Sequence, residues 1–232
     1  MLNLSFALFQ TAVDTADVAA SAAPQNIIDI IASGGILGIA NVSLTLIMSI
    51  IALAIFIERY LTIQKAGKVD ENFINNIRAS VGAGNIENAK ALCKATDTPT
   101  ARMIEKGLMR IGKPLKDIDA AIENVGNLEV FKLEKNLSTL ASISGAAPMN
   151  GFLGTVTGMI LAFYEMASQQ NVTPGVLAGG IYQALITTAF GLVVGIFAFV
   201  GYNYLVAKVD GVVFQMEKAT LDFMDLLQEP GN

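Results

Sequence analysis

Long apolar runs and a charged, helix-patterned segment alternate along this chain. The first run, Ile36 to Ile57, holds no charge and ends at Glu58-Arg59-Tyr60, where charges and an aromatic ring suit a membrane interface. A much longer run lies between Lys135 and Lys208, and Glu165 is the single charge inside it. A helix spans a bilayer with about 20 apolar residues, so this run is too long for one crossing. Two crossings fit if the chain folds back through 168–175, where Pro174 and Gly175 are turn formers. The pattern therefore predicts spans over 36–57, 139–167 and 176–207. The third is longer than the hydrocarbon layer, so its lower end, with Tyr202 and Tyr204, is expected to run on beyond the membrane.

The segment 58–138 lacks strand alternation and reads as a helical insert. A helix is predicted from Glu71 to Val81, stopped by Gly82-Ala83-Gly84. Asn85 is placed to cap a second, Ile86 to Lys94. Thr98 is placed to cap a third, with Pro99 in its first turn, running to Arg110 before Gly112 and Pro114 break it. From Leu115 the series Ile118, Ile122, Val125, Leu128, Leu137, Leu140 reads as one helix continuing into the second span, with Pro148 expected to kink it or loosen its hydrogen bonding. Residues 208–232 form an amphipathic pattern through Val209, Val213, Met216, Thr220, Phe223 and Leu227, ended by Pro230. Residues 1–35 read as an extracytoplasmic segment, with an amphipathic helix on Phe6, Phe9 and Val13; their start has no basic residue, as a signal peptide would need. The fold class is an all-α membrane protein: three transmembrane helices, a helical cytoplasmic insert, and helices 2 and 3 extended into the cytoplasm.

Composition agrees. Hydrophobic residues make up 53% and charged residues 15%, against about 25% charged in a soluble domain. Every Lys and Arg falls between Arg59 and Lys135 or at Lys208 and Lys218. The positive-inside rule puts those segments in the cytoplasm, with the N-terminus and the 168–175 loop outside. A net charge of −5 argues against nucleic acid. Without histidine there is no imidazole relay or histidine metal site, and the lone Cys93 can form no disulfide within the chain. No phosphate loop, metal cluster or nucleophile–base pair is present, so neither enzyme activity nor a cofactor is expected.

Candidate chemistry lies in the hairpin. Gly151, Thr155, Gly158 and Ala162 share one helix face; so do Gln183 or Ala184, Thr187 and Thr188, then Gly191 and Gly195. Gly154 to Gly158 and Gly191 to Gly195 are small-xxx-small spacings that let backbones approach closely. Tight packing alone accounts for such faces, and depth adds a second reading. Thr155 lies twelve residues before Ala167, and Thr188 twelve after Val176, so counting from the shared loop puts both about 18 Å down, near mid-bilayer. Repeated around an oligomer, these hydroxyls would form a polar ring. Asn41, Ser43, Thr45 and Ser49 in the first span read as helix–helix hydrogen-bonding groups. Glu165 reads as a solvated interfacial acid or, alternatively, as a guide for protons at an outer mouth.

The runs Ala147-Pro148 with Gly151-Phe152-Leu153-Gly154-Thr155-Val156-Thr157-Gly158-Met159-Ile160, and Gly180-Ile181-Tyr182-Gln183-Ala184-Leu185-Ile186-Thr187-Thr188-Ala189-Phe190-Gly191-Leu192, resemble the signatures of the MotA/TolQ/ExbB proton-channel family. Gly84-Asn85-Ile86-Glu87-Asn88-Ala89, Cys93, Pro99 and Gly107-Leu108 fit too, so that the resemblance covers about residues 36–210. Three spans resemble the ExbB and TolQ branches, ExbB above all, since a MotA-type subunit would have four. The resemblance implies a homopentamer in the bacterial inner membrane, in contact with membrane lipid, with a pore lined by spans two and three. That pore would enclose two single-span ExbD-like subunits supplying a protonatable Asp, and proton-motive force would reach a TonB-like protein that opens outer-membrane transporters. It implies pore roles beside that Asp for Thr155 and Thr188, with Thr187 and Gln183 along the same proton path. Gln183 stands where the family often has Glu; Gln hydrogen-bonds water or a partner but does not carry a proton as a carboxylate does.

Overall fold

A computed structural model describes residues 35–68, 71–168 and 174–228. The predicted helix on Phe6, Phe9 and Val13 and most of the hairpin loop lie outside these residues. Regular structure among the described residues is entirely α-helical: α1 Gly35–Ala66, α2 Glu71–Gly82, α3 Ile86–Ala95, α4 Pro99–Leu108, α5 Leu115–Glu134, α6 Leu137–Ser168 and α7 Pro174–Gln228. Among the described residues, three stretches are long and apolar enough to cross a membrane: Gly38–Ala66, Leu115–Ser168 (α5 and α6 taken together) and Ala178–Gln228. The protein is an all-α, multi-pass membrane protein.

The insert helices start where the caps predict. Asn85 Oδ1 accepts from the Asn88 amide at 3.1 Å, and Thr98 Oγ1 accepts from the Ala101 amide at 3.3 Å with Pro99 behind it. Each cap satisfies an amide that has no partner inside its own helix. Two boundaries differ from the sequence pattern. The run from Leu115 into the membrane is not one helix: it breaks between α5 and α6, where Asn136 takes φ 64°. Asn tolerates this left-handed conformation better than most residues, and one such residue interrupts the helix ladder. Conversely, α7 runs through residues 207 and 208 without a break. Its buried positions Leu205, Val209, Val212, Met216, Ala219 and Phe223 repeat every three or four residues, and no proline intervenes.

Packing divides the chain into two compact units. One holds Met48–Ala147 and Val193–Asn232. Its core includes Ile77, Ile104, Leu108, Ile122, Leu140, Leu205, Met216 and Phe223, all at 2% exposure or less. Gly107 is the point of closest approach: a Cβ there would stand 2.6 Å from Phe223 Cε1 and 2.8 Å from Ile122 Cδ1. Arg59, buried near the end of α1, donates through Nη1 to the Lys132 carbonyl at 3.0 Å and pairs with Glu58. The buried Glu129 carboxylate accepts from Arg102 Nη2 and Lys132 Nζ, each at 2.6 Å, while Arg102 Nη1 also reaches Asp97 at 2.5 Å. Burial pushes the Glu129 pKa up, but the two cations outweigh it and hold it below the usual carboxylate value.

The other unit comprises residues up to Ile47 and Pro148–Leu192. It carries the hairpin signatures.

Candidate functional site: a polar seam between membrane helices

Glycines let α6 and α7 meet backbone to backbone. A Cβ on Gly151 would lie 3.0 Å from the Thr187 carbonyl oxygen and 3.2 Å from Gly191 Cα. One on Gly154 would strike Thr187 Oγ1 at 2.5 Å; one on Gly158 would come 3.0 Å from Ala184 Cβ. Further along, Gly180 sits against Ala162. The seam therefore unites Gly151, Gly154, Gly158, Thr187, Thr188 and Gly191. Gly195 is buried in the other unit.

The threonines divide within this frame. Thr188 donates across the seam to the Gly151 carbonyl at 2.9 Å, the direct side-chain link from α7 to α6. Thr187, 5% exposed, donates back to Ala184 of its own helix at 2.8 Å. Thr155 donates to the Phe152 carbonyl at 2.7 Å and lines an open groove with Val156, Met159, Ile160 and Phe163. The groove side of Thr155 is thus free to meet something outside the chain. Gln183 is half-buried, one turn from Thr187, and Glu165 is exposed near the far end of α6. Counting from the loop equates Thr155 with Thr188; the packing instead sets Thr188 against Gly151, four residues from Thr155 or about 6 Å along the axis.

A second polar cluster ties α1 to α6. Asn150 Nδ2 donates to Thr45 Oγ1 at 2.8 Å and to the Asn41 carbonyl at 3.1 Å. Asn41 Nδ2 donates to the Asn150 carbonyl at 2.9 Å, and Thr45 donates to the Asn41 carbonyl at 3.0 Å. Asn41 and Thr45 thus act as the expected helix–helix groups. Asn150 was missed: it lies inside the first signature, and its only sequence signal is an amide in an apolar run. Asn41 Oδ1 is buried without a hydrogen-bond donor, 3.1 Å from where a Gly154 Cβ would stand, so the α1 cluster touches the α6–α7 seam. Polar groups on membrane-spanning helices are tolerated when they face protein or water.

These features define a multi-pass helical membrane protein whose spans meet through glycines, with amides and hydroxyls in place of charge. Residues 95–218 match the model of the MotA/TolQ/ExbB proton channel family. The chain belongs to that family. It is 33% identical over 119 residues to a putative biopolymer transport protein ExbB homolog of Methanothermobacter thermautotrophicus, covering 51% of this chain and 42% of that protein. It is 37% identical over 103 residues to the Tol-Pal system protein TolQ of Pseudomonas aeruginosa, covering 41% and 45%. It is 40% identical over 78 residues to the biopolymer transport protein ExbB of Aquifex aeolicus, covering 34% and 53%. The chain spans about half the length of the curated relatives it matches.

Proposed function

We propose that this chain is an ExbB-like subunit of a proton-motive-force-driven motor, which works with a single-span ExbD-like protein and energises a TonB-like protein for outer-membrane transport. The observation that carries the reading is the placement of Thr155, with its side chain on an open groove, beside a seam where Thr188 holds α7 to α6. The distribution of basic residues supports an insert and a C-terminal end of α7 in the cytoplasm, with the N-terminus in the periplasm. Five copies would bring α6 and α7 around a pore, with Thr155, Thr188, Thr187 and Gln183 along the proton path and Glu165 toward its outer mouth.

The mechanism follows from what the chain lacks. Between Lys135 and Lys208 the single ionisable carboxylate is Glu165, near the end of α6. A titrating group at mid-membrane must therefore come from the partner. Thr155 and Thr188 each give their one hydroxyl proton to a carbonyl, so their oxygens accept from a protonated partner carboxyl as they stand and donate to the ionised form by turning away from that carbonyl. Protonation discharges the partner Asp and lowers the cost of moving it past apolar pore wall. A hydrogen bond to a charged group contributes on the order of 1.5–3 kcal/mol. Thr155→Val or Thr188→Val, which keep shape and remove the hydroxyl, are thus expected to slow proton-driven work about ten- to hundredfold. The test is proton flux and energised uptake with the partner co-expressed, at matched protein levels. Full activity in both variants would refute the role.

The same core serves a second reading, a TolQ-like role in envelope integrity. It is favoured by the 37% identity to the Pseudomonas aeruginosa TolQ. Restoration of TonB-dependent uptake, against restoration of detergent resistance, in strains lacking each system separates the two.

A further inference from the structure

Away from the seam, α1 and α7 form a two-part recess within the larger packing unit. Its polar part is lined by Tyr60, Gln64, Lys68, Tyr204, Lys208 and Gln215, with two lysines and no acid in its lining. Its apolar part shares Tyr60 and Tyr204 and continues along Phe56, Phe197, Val200 and Gly201. From Tyr204 to Phe197 is seven residues, about 10 Å of helix leading back into the span. Aromatic contacts hold the shared floor. Tyr60 stacks on Tyr204 with centroids 6.3 Å apart, and Phe56 meets Phe197 edge to face at 5.8 Å. Lys208 Nζ stands 5.7 Å from the Tyr204 ring centroid. Gly201 permits the approach, since a Cβ there would be 3.0 Å from Phe56 Cδ2.

We infer that this recess binds one anionic phospholipid of the leaflet on the basic side of the membrane. Lys68 and Lys208 meet the headgroup phosphate, the tyrosines and glutamines offer it hydrogen-bond donors, and an acyl chain lies on Phe56, Phe197 and Val200. The order along the helices is that of a lipid: cation-lined end past the charged border of the span, aromatic rings at the interface, apolar wall inside. The site does not rest on the proton-path reading.

The test is native mass spectrometry of the full chain, delipidated in detergent and titrated with phosphatidylglycerol or phosphatidylcholine. One retained phosphatidylglycerol per chain is expected, with phosphatidylcholine bound at least tenfold more weakly. Lys68→Gln with Lys208→Gln is expected to weaken phosphatidylglycerol about 30-fold, as two lysines acting on one anionic headgroup. Lys113→Gln, outside the recess, should change nothing. Val200→Trp, at an exposed wall position, blocks the apolar part and should weaken binding with both lysines intact. Equal retention of the two lipids, or an unchanged affinity in the lysine pair, would overturn the inference. So would displacement by millimolar inorganic phosphate, which would mark a soluble-anion site, or a photocrosslinker at position 200 that captures a second copy of the chain in place of lipid.

Discussion

Gly154→Ala tests the seam most directly. The new Cβ would land 2.5 Å from Thr187 Oγ1, 2.9 Å from Thr187 Cβ and 3.1 Å from Asn41 Oδ1. Turning χ1 moves the hydroxyl but not Thr187 Cβ. Restoring a carbon–carbon separation of about 3.5 Å requires α6 and α7 to part by about 0.6 Å. The same displacement stretches the Thr188–Gly151 hydrogen bond from 2.9 Å to the edge of the bonding range. Overpacking costs about 1–3 kcal/mol and a lost hydrogen bond about 1 kcal/mol. Alanine in place of glycine in a helix returns about 0.5–1 kcal/mol, leaving a net loss of about 2 kcal/mol. Gly145→Ala, on the same helix with nothing within 4 Å of its new Cβ, keeps the gain without the clash. Equilibrium unfolding in mixed micelles at fixed protein concentration reads the difference. Thr187→Gly should rescue Gly154→Ala with a coupling of about 1–2 kcal/mol. If Gly154→Ala is as stable as Gly145→Ala, the close approach at the seam is wrong.

Asn150→Leu removes the Nδ2 donor from the Thr45 hydroxyl and the Asn41 carbonyl, while the backbone carbonyl at 150 still accepts from Asn41, and is expected to cost about 1–3 kcal/mol, read in the same unfolding assay. Glu129 gives the insert an acid sensitivity. Its folded pKa lies below the unfolded value of about 4.3, so its contribution is full above that pH and is lost as pH falls through the folded pKa. Unfolding titrations should show this acid loss in the wild type and a flatter profile in Glu129→Gln. Burial, with a smaller effect from Glu105, pushes the Cys93 thiol up to about 12, so a maleimide should leave it unlabelled at pH 7.5 until the insert opens. Rapid labelling of the folded protein would show that Cys93 is not packed.

Local chemistry was the legible part. Asn85 and Thr98 announce their helices because a cap acts within three residues of itself. The spans follow from charge-free runs, and the glycine faces from helical spacing. The break at Asn136 leaves no such trace: the apolar period continues across it, and the deviation is in backbone conformation. The continuity of α7 was hidden because a membrane run and an amphipathic run look like different segments, though the backbone has no reason to stop between them. Asn150 meets Asn41 across 109 residues, a pairing that tertiary structure alone reveals. The seam's register also escaped counting from the loop, because it is set where glycines let the backbones touch.

The uncharged chemistry of the spans has an electrical consequence. A membrane potential does work of about 2.3 kcal/mol per elementary charge per 100 mV on groups that move through it. Asn41, Thr45, Asn150, Thr155, Thr187 and Thr188 carry no charge to move. Voltage therefore has almost no grip on these six side chains, and the charges it could act on, Glu165 among them, stand toward the helix ends. On the proposed reading, in which a partner brings the titrating carboxylate, voltage sensitivity of the assembly would report that partner's group and not these side chains.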